Sequence, residues 1–141
     1  MPTSLPERLL LDTVFIQALL NRRDQYHGIA REIFPHVRSA SEIWISEAVL
    51  IEVGNALSAL NRQGAVQFIR KCYQTSNIHI SPIGPPHLRR ALEIYSSHQD
   101  KHWGLTDCLS FALMEEQRLT HAVTADEHFV QAGYNAVMRS Q

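Results

Sequence analysis

The chain has 141 residues, 45% of them hydrophobic and 19% charged, which is the make-up of an ordinary globular protein of one-domain length rather than of a fibre or a disordered segment. Thirteen basic side chains against fourteen acidic ones give a formal net charge of −1, so the molecule as a whole has no field that would draw it onto nucleic acid or a membrane surface. Any basic surface must therefore be local.

In chain order, Leu9 to Leu11 form a short apolar run after Pro6 that ends at Asp12, the pattern of a buried strand. Thr13 to Arg22 reads as a helix. Asp24 is placed to cap a second helix through Tyr26, Ile29, Ile33 and Phe34 that stops near Pro35, and the two form a helical hairpin. Ile43 to Ile45 is a second buried strand, followed by a helix that Ser46 caps and that runs to about Leu60. Gly64 to Gln74 supplies another helix with Val66, Ile69 and Tyr73 on one side, and Ile78 to Ile83 alternates as a strand. Pro85 and Pro86 open a helix over His87 to about Gln99, with Leu88, Ala91, Leu92 and Tyr95 at helical spacing. After Gly104 a helix starts at Thr106. Ala122 to Thr124 and, beyond a short helix and Gly133, Tyr134 to Met138 complete the strands. Strands separated by helices with few hairpin signals predict an α/β fold: one unit over residues 1–141, three-layer α/β/α with a mainly parallel central sheet.

The two cysteines, Cys72 and Cys108, fall in helical segments without CxxC spacing, which suits a reducing compartment. No apolar run approaches the ~20 residues that span a bilayer, and Arg8 and Asp12 interrupt the first apolar stretch, so a cytoplasmic protein is expected.

Of five aspartates, Asp12, Asp107 and Asp126 stand at strand ends or helix starts. Asp12 and Asp126 belong at the carboxyl edge of a parallel sheet, where open α/β folds bind ligands. Each also suits helix capping: Asp12 before the first helix, Asp107 in a first turn, and Asp126 within the capping-box pattern Thr124-Ala125-Asp126-Glu127. Glu52 falls on the apolar stripe of Val49, Val53, Ala56, Leu57 and Leu60, with no basic residue at helical spacing. It either points inward and needs compensation from elsewhere, or sits at the edge of the stripe and reaches water. Four converging carboxylates would repel by ~4 kcal/mol per close pair at 4 Å and an effective dielectric near 20. Such a cluster is relieved by protonation or by a hard cation, and oxygen-only ligands select magnesium or manganese over zinc. Cation binding at a sheet edge points to phosphoryl-transfer or phosphodiester chemistry.

Four strings carry a family resemblance over nearly the whole chain. They are Leu10-Leu11-Asp12-Thr13, Glu52 in the helix after the second strand, Leu105-Thr106-Asp107-Cys108-Leu109-Ser110-Phe111, and Thr124-Ala125-Asp126-Glu127-His128-Phe129 with Gln131-Ala132-Gly133-Tyr134. Together they resemble the PIN-domain ribonucleases, especially VapC-like toxins. The resemblance implies a catalytic, metal-holding quartet of Asp12, Glu52, Asp107 and Asp126, with Mg2+ or Mn2+ as cofactor. It also implies endonucleolytic cleavage of single-stranded RNA to 5′-phosphate and 3′-hydroxyl ends, an antitoxin partner that plugs the acidic groove, and a homodimer. Val14 departs from the family pattern, which usually has asparagine or serine there, and favours the alternative of a weak or inactive PIN-like module that binds RNA or a protein.

Thr13, Thr106 and Thr124 are candidate donors that orient these carboxylates, each equally suited to a cap or a strand end, and Asp100 is a candidate auxiliary acid in the loop before the Asp107 helix. Candidate RNA contacts are Arg22, Arg23, Arg62, Arg70, Lys71, Arg89, Arg90 and Lys101, with Trp103 as a stacking or packing ring. His98 and His102, or His121 and His128, lack the accompanying cysteine spacing of a finger-type zinc site. A phosphatase or receiver-type site would need a second acid close after Asp12, and Thr13-Val14 supplies none.

Overall fold

The structure, a computed structural model, describes residues 5–139. Five strands, β1 (Arg8–Leu11), β2 (Glu42–Ser46), β3 (Ile78–Ser81), β4 (His121–Val123) and β5 (Asn135–Ala136), form one sheet in the order β3-β2-β1-β4-β5, with every neighbouring pair parallel. Between them run α1 (Thr13–Leu20), α2 (His27–Arg38), α3 (Glu47–Ala56), α4 (Arg62–Gln74), α5 (Pro85–Ser97), α6 (Leu105–Gln117) and α7 (Glu127–Gln131).

The two-residue period of the strands divides the core between two faces. Leu9, Leu11, Ile43, Ile45 and Val123 meet the inward residues of α1 to α4, among them Phe15, Ile33, Val53 and Cys72. Leu10 and Ala122 meet Ala91, Ile94, Leu113 and Phe129 from α5, α6 and α7. Both faces are covered, which is why these strands are continuous apolar runs instead of alternating patterns. The three-layer α/β/α expectation is thereby met.

Several boundaries differ from the sequence expectation. α2 does not stop at Pro35 but runs through it to Arg38. The ring lies on the exposed side, and Val37, two residues further and one turn beyond the buried Ile33, is buried and anchors the last turn. Asp24 accepts from the Tyr26 amide at 2.8 Å in the turn before α2 and does not cap it; Tyr26 is the N-cap, without a side-chain bond. α1 ends at Leu20 and α3 at Ala56, so Leu60, expected on a buried stripe, stands 67% exposed in the connection to α4. In α4 the inward set is Ala65, Phe68, Ile69 and Cys72, and Tyr73 is exposed; in α5 it is Leu88, Ala91 and Ile94, and Leu92 and Tyr95 face out. A narrow contact stripe on an amphipathic helix leaves apolar residues on its flanks, and periodicity alone cannot tell flank from centre. The last strand is two residues long, closed by a 3-10 turn over Val137–Arg139.

The chain builds β1, β2 and β3 outward on one side, then crosses to place β4 on the other side of β1. This reversal opens a crevice at the carboxyl ends of β1 and β4, the usual ligand position in such sheets. Leu10 pairs with Ala122 and Leu11 with Val123, so the next residues, Asp12 and Thr124, emerge side by side. Beneath them Phe129 of α7 is fully buried, edge-on to Phe111 of α6 at 5.0 Å. Phe129→Ala is expected to cost about 3–5 kcal/mol of stability, read from urea denaturation, because it empties the packing that seats α7.

Candidate active site

Asp12 is the N-cap of α1 and only 3% exposed. Its Oδ2 accepts from the Val14 amide at 3.4 Å and from the Thr124 hydroxyl at 2.7 Å. Thr124, fully buried, in turn accepts from the Asp126 amide at 3.0 Å. Asp126 caps α7, its Oδ1 accepting from the His128 amide at 2.9 Å. Asp107 lies in the first turn of α6, where its Oδ2 accepts from the Gly104 amide at 3.1 Å and meets His128 Nδ1 at 2.9 Å. His128 Nδ1 is also 3.4 Å from Asp126 Oδ1, and one ligand atom each from Asp107, Asp126 and His128 lies within 4.8 Å of the others.

The electrostatics follow from this crowding. Burial pushes the Asp12 carboxyl up to about 7, against the Thr124 hydrogen bond and the Thr13 backbone, and the negative charges of Asp107 and Asp126 push it the same way. Asp107 is raised as well, chiefly by burial and also by Asp126, with the His128 and Gly104 contacts pulling down. The three aspartates of the predicted quartet thus meet in one place. Their chemistry fits a hard divalent cation, and Thr13 Oγ1, buried beside Asp12 with no hydrogen-bond partner among the described residues, adds an unsatisfied polar atom at this edge.

Glu52 is placed differently from the inward carboxylate envisaged from its stripe. It is half-buried on the flank of α3, lining an open depression of about 250 Å³ with Ala48, Ile51, Asn55, Ile83 and Thr106. It lies beside the start of α6, where Thr106 lines the same depression, and of the stripe read from the sequence Val49, Val53 and Leu57 are buried while Ala56 and Leu60 are exposed. Among the three threonines, Thr124 makes the carboxylate contact through its hydroxyl, whereas Thr106 lines the Glu52 depression.

Asp100 does not join the cluster. It is an exposed loop carboxylate paired with Lys101 Nζ at 3.1 Å, and that cation holds it below the ordinary aspartate range. Trp103 is a packing residue: 8% exposed, edge-on to Phe111 at 5.0 Å, with its indole N–H donating to Gln131 at 3.0 Å. Of the candidate RNA contacts, Arg90 forms a two-bond fork with Glu115, and Arg62 donates to the Ser58 carbonyl at 3.1 Å. Arg22, Arg23, Arg70, Lys71 and Arg89 are exposed. Val14 gives Asp12 its backbone N–H, and its side chain packs on the first-face core.

His128 is the residue that sequence reasoning left out of the site. Its signal lies two residues after Asp126, but its spacing from His121 matches no zinc pattern, and nothing local shows that α7 turns this ring toward Asp107.

The PIN domain family model matches residues 9–134 of the chain. No curated protein sequence matches it significantly. Among solved structures, it is similar to Mycobacterium tuberculosis VapC20, described as a sarcin-ricin loop cleaving toxin, at 23% identity and a TM-score of 0.82 over 92% of this chain and 98% of that one. It is also similar to FitAcB from Neisseria gonorrhoeae, at 17% identity and a TM-score of 0.65 over 94% and 99% of the two chains.

A carboxyl that is raised in the folded state and ordinary in the unfolded one contributes stability that is full below about pH 4 and is lost as pH rises toward its folded value of about 7. Metal-free protein is therefore expected to lose up to about 4 kcal/mol between those limits from Asp12. Asp12→Asn should flatten that dependence and be the more stable protein at pH 8, as read by urea denaturation in the presence of chelator.

Proposed function

The chain belongs to the PIN domain family, and from that premise we propose that it is a divalent-metal-dependent endoribonuclease that cleaves single-stranded RNA, the toxin of a toxin–antitoxin pair. The observation that carries this reading is the meeting of Asp12, Asp107 and Asp126 at the crevice where the strand order reverses. Buried carboxylates this close hold their charge only with a compensating cation, and the oxygen donor set suits Mg2+ or Mn2+.

Asp12, Asp107 and Asp126 would hold the ion, and Glu52, which lines the depression beside Thr106, would serve as a fourth ligand or as an acceptor that orients the attacking water. When bound, such an ion supplies charge neutralisation at the phosphate and a water acidic enough to attack near neutral pH. Thr124 keeps Asp12 in place through its hydroxyl, and the amides of Val14, Gly104 and His128 keep the three aspartates aimed. Exposed Arg22, Arg23, Arg70, Lys71 and Arg89 are the side chains available to bind phosphates on an otherwise near-neutral surface. VapC20 is described as a toxin; an antitoxin partner, a homodimer and a cytoplasmic setting belong to the same reading, with residues 1–141 acting as one unit. No helix among the described residues is long and apolar enough to cross a membrane.

A mixed single-stranded RNA pool incubated with the protein and Mn2+ should be cut, and chelator should stop it. Asp107→Asn and Asp126→Asn are each expected to lower the rate at least about a hundredfold while the fold persists by circular dichroism. Glu52→Gln should lower it as well. Protein that binds Mn2+ and RNA without cutting would overturn the enzyme reading in favour of a PIN-like binding module, which is the reading Val14 favours on sequence. Cleavage unchanged in all three variants would overturn the site.

A further inference from the structure

His128 stands where a metal ligand would stand. Its ring nitrogen Nδ1 lies 2.9 Å from Asp107 Oδ2 and 3.4 Å from Asp126 Oδ1. The ring is placed by more than a rotamer: the His128 amide donates to Asp126 Oδ1, and the adjoining Phe129 is fully buried. His121, the other histidine near this strand, is engaged through Nδ1 with Thr120 at 2.7 Å. A nitrogen between two carboxylates acts either as a proton donor to them or as a third donor atom to a cation they share, with its proton carried on Nε2.

We propose that His128 supplies Nδ1 as a ligand to the cation held by Asp107 and Asp126, and that this nitrogen biases the site toward Mn2+ over Mg2+. The proposal rests on the reading that these aspartates hold a cation. Imidazole binds first-row transition ions more readily than it binds magnesium, which prefers oxygen and keeps several waters. The nitrogen therefore decides which of two otherwise similar ions the carboxylates retain.

The test is Mn2+ alone added to the full chain, with pulsed electron paramagnetic resonance used to detect nitrogen coupled to the bound ion. Coupling is expected in the wild type, to change with 15N-histidine labelling, to persist in His121→Ala and to vanish in His128→Ala. By calorimetry His128→Ala should weaken Mn2+ binding about tenfold or more while Mg2+ binding changes less than about threefold. The labelled wild type alone reports whether a histidine is bound, so the proposal stays testable if His128→Ala folds poorly. Bound Mn2+ without nitrogen coupling, or coupling that survives His128→Ala, overturns the role of His128 and leaves the carboxylate site standing. No bound Mn2+ overturns both.

Discussion

Much of this molecule depends on a single constraint, the burial of the Asp12 charge at the carboxyl end of the central strand. A carboxylate so enclosed is held by the Thr124 hydroxyl and one backbone amide, with two more carboxylates close enough to raise it further. The sheet register puts Thr124 there, since the pairing of Leu11 with Val123 sends the next residue of each strand out together. The strand reversal between β1 and β4 opens the space in which Asp107 and Asp126 join them. Fold and site thus share one geometric cause.

Capping and chemistry, which compete as explanations in the sequence, coincide in the structure. Asp12 and Asp126 are both N-caps, and Asp107 accepts from the amide that precedes its own helix. Each carboxylate sits at the amino end of a helix, where unpaired N–H groups and the positive end of the dipole offset part of its charge. Three negative groups are gathered at tolerable cost because three helix starts point at one crevice. The remaining imbalance, visible in the raised Asp12 and Asp107 carboxyls, is what a divalent cation would relieve.

The periphery is governed by weaker forces. Arg90 and Lys101 are tied to acidic neighbours, Asp100 is neutralised by Lys101, and Trp103 is consumed in packing. Exposed arginines remain spread over a surface whose net charge is −1, so positive potential on this surface is confined to local patches.

The strand and helix order, the parallel sheet and the placing of Asp12, Asp107 and Asp126 at element boundaries were legible from short-range pattern, because burial on both faces writes continuous apolar runs and caps need particular residue types. Helix lengths and inward faces were less so: Pro35 was tolerated where its ring met solvent, and Leu60, Tyr73, Leu92 and Tyr95 fell outside the contact stripe. Only tertiary structure decided that Glu52 opens onto a depression instead of the core, that Thr124 rather than Thr106 bonds Asp12, and that His128 lies between two aspartates. The difference is one of range. Periodicity and capping act over a few residues and are written in the chain, whereas the meeting of side chains 21 and 112 positions apart depends on strand register and helix docking, which no local pattern contains.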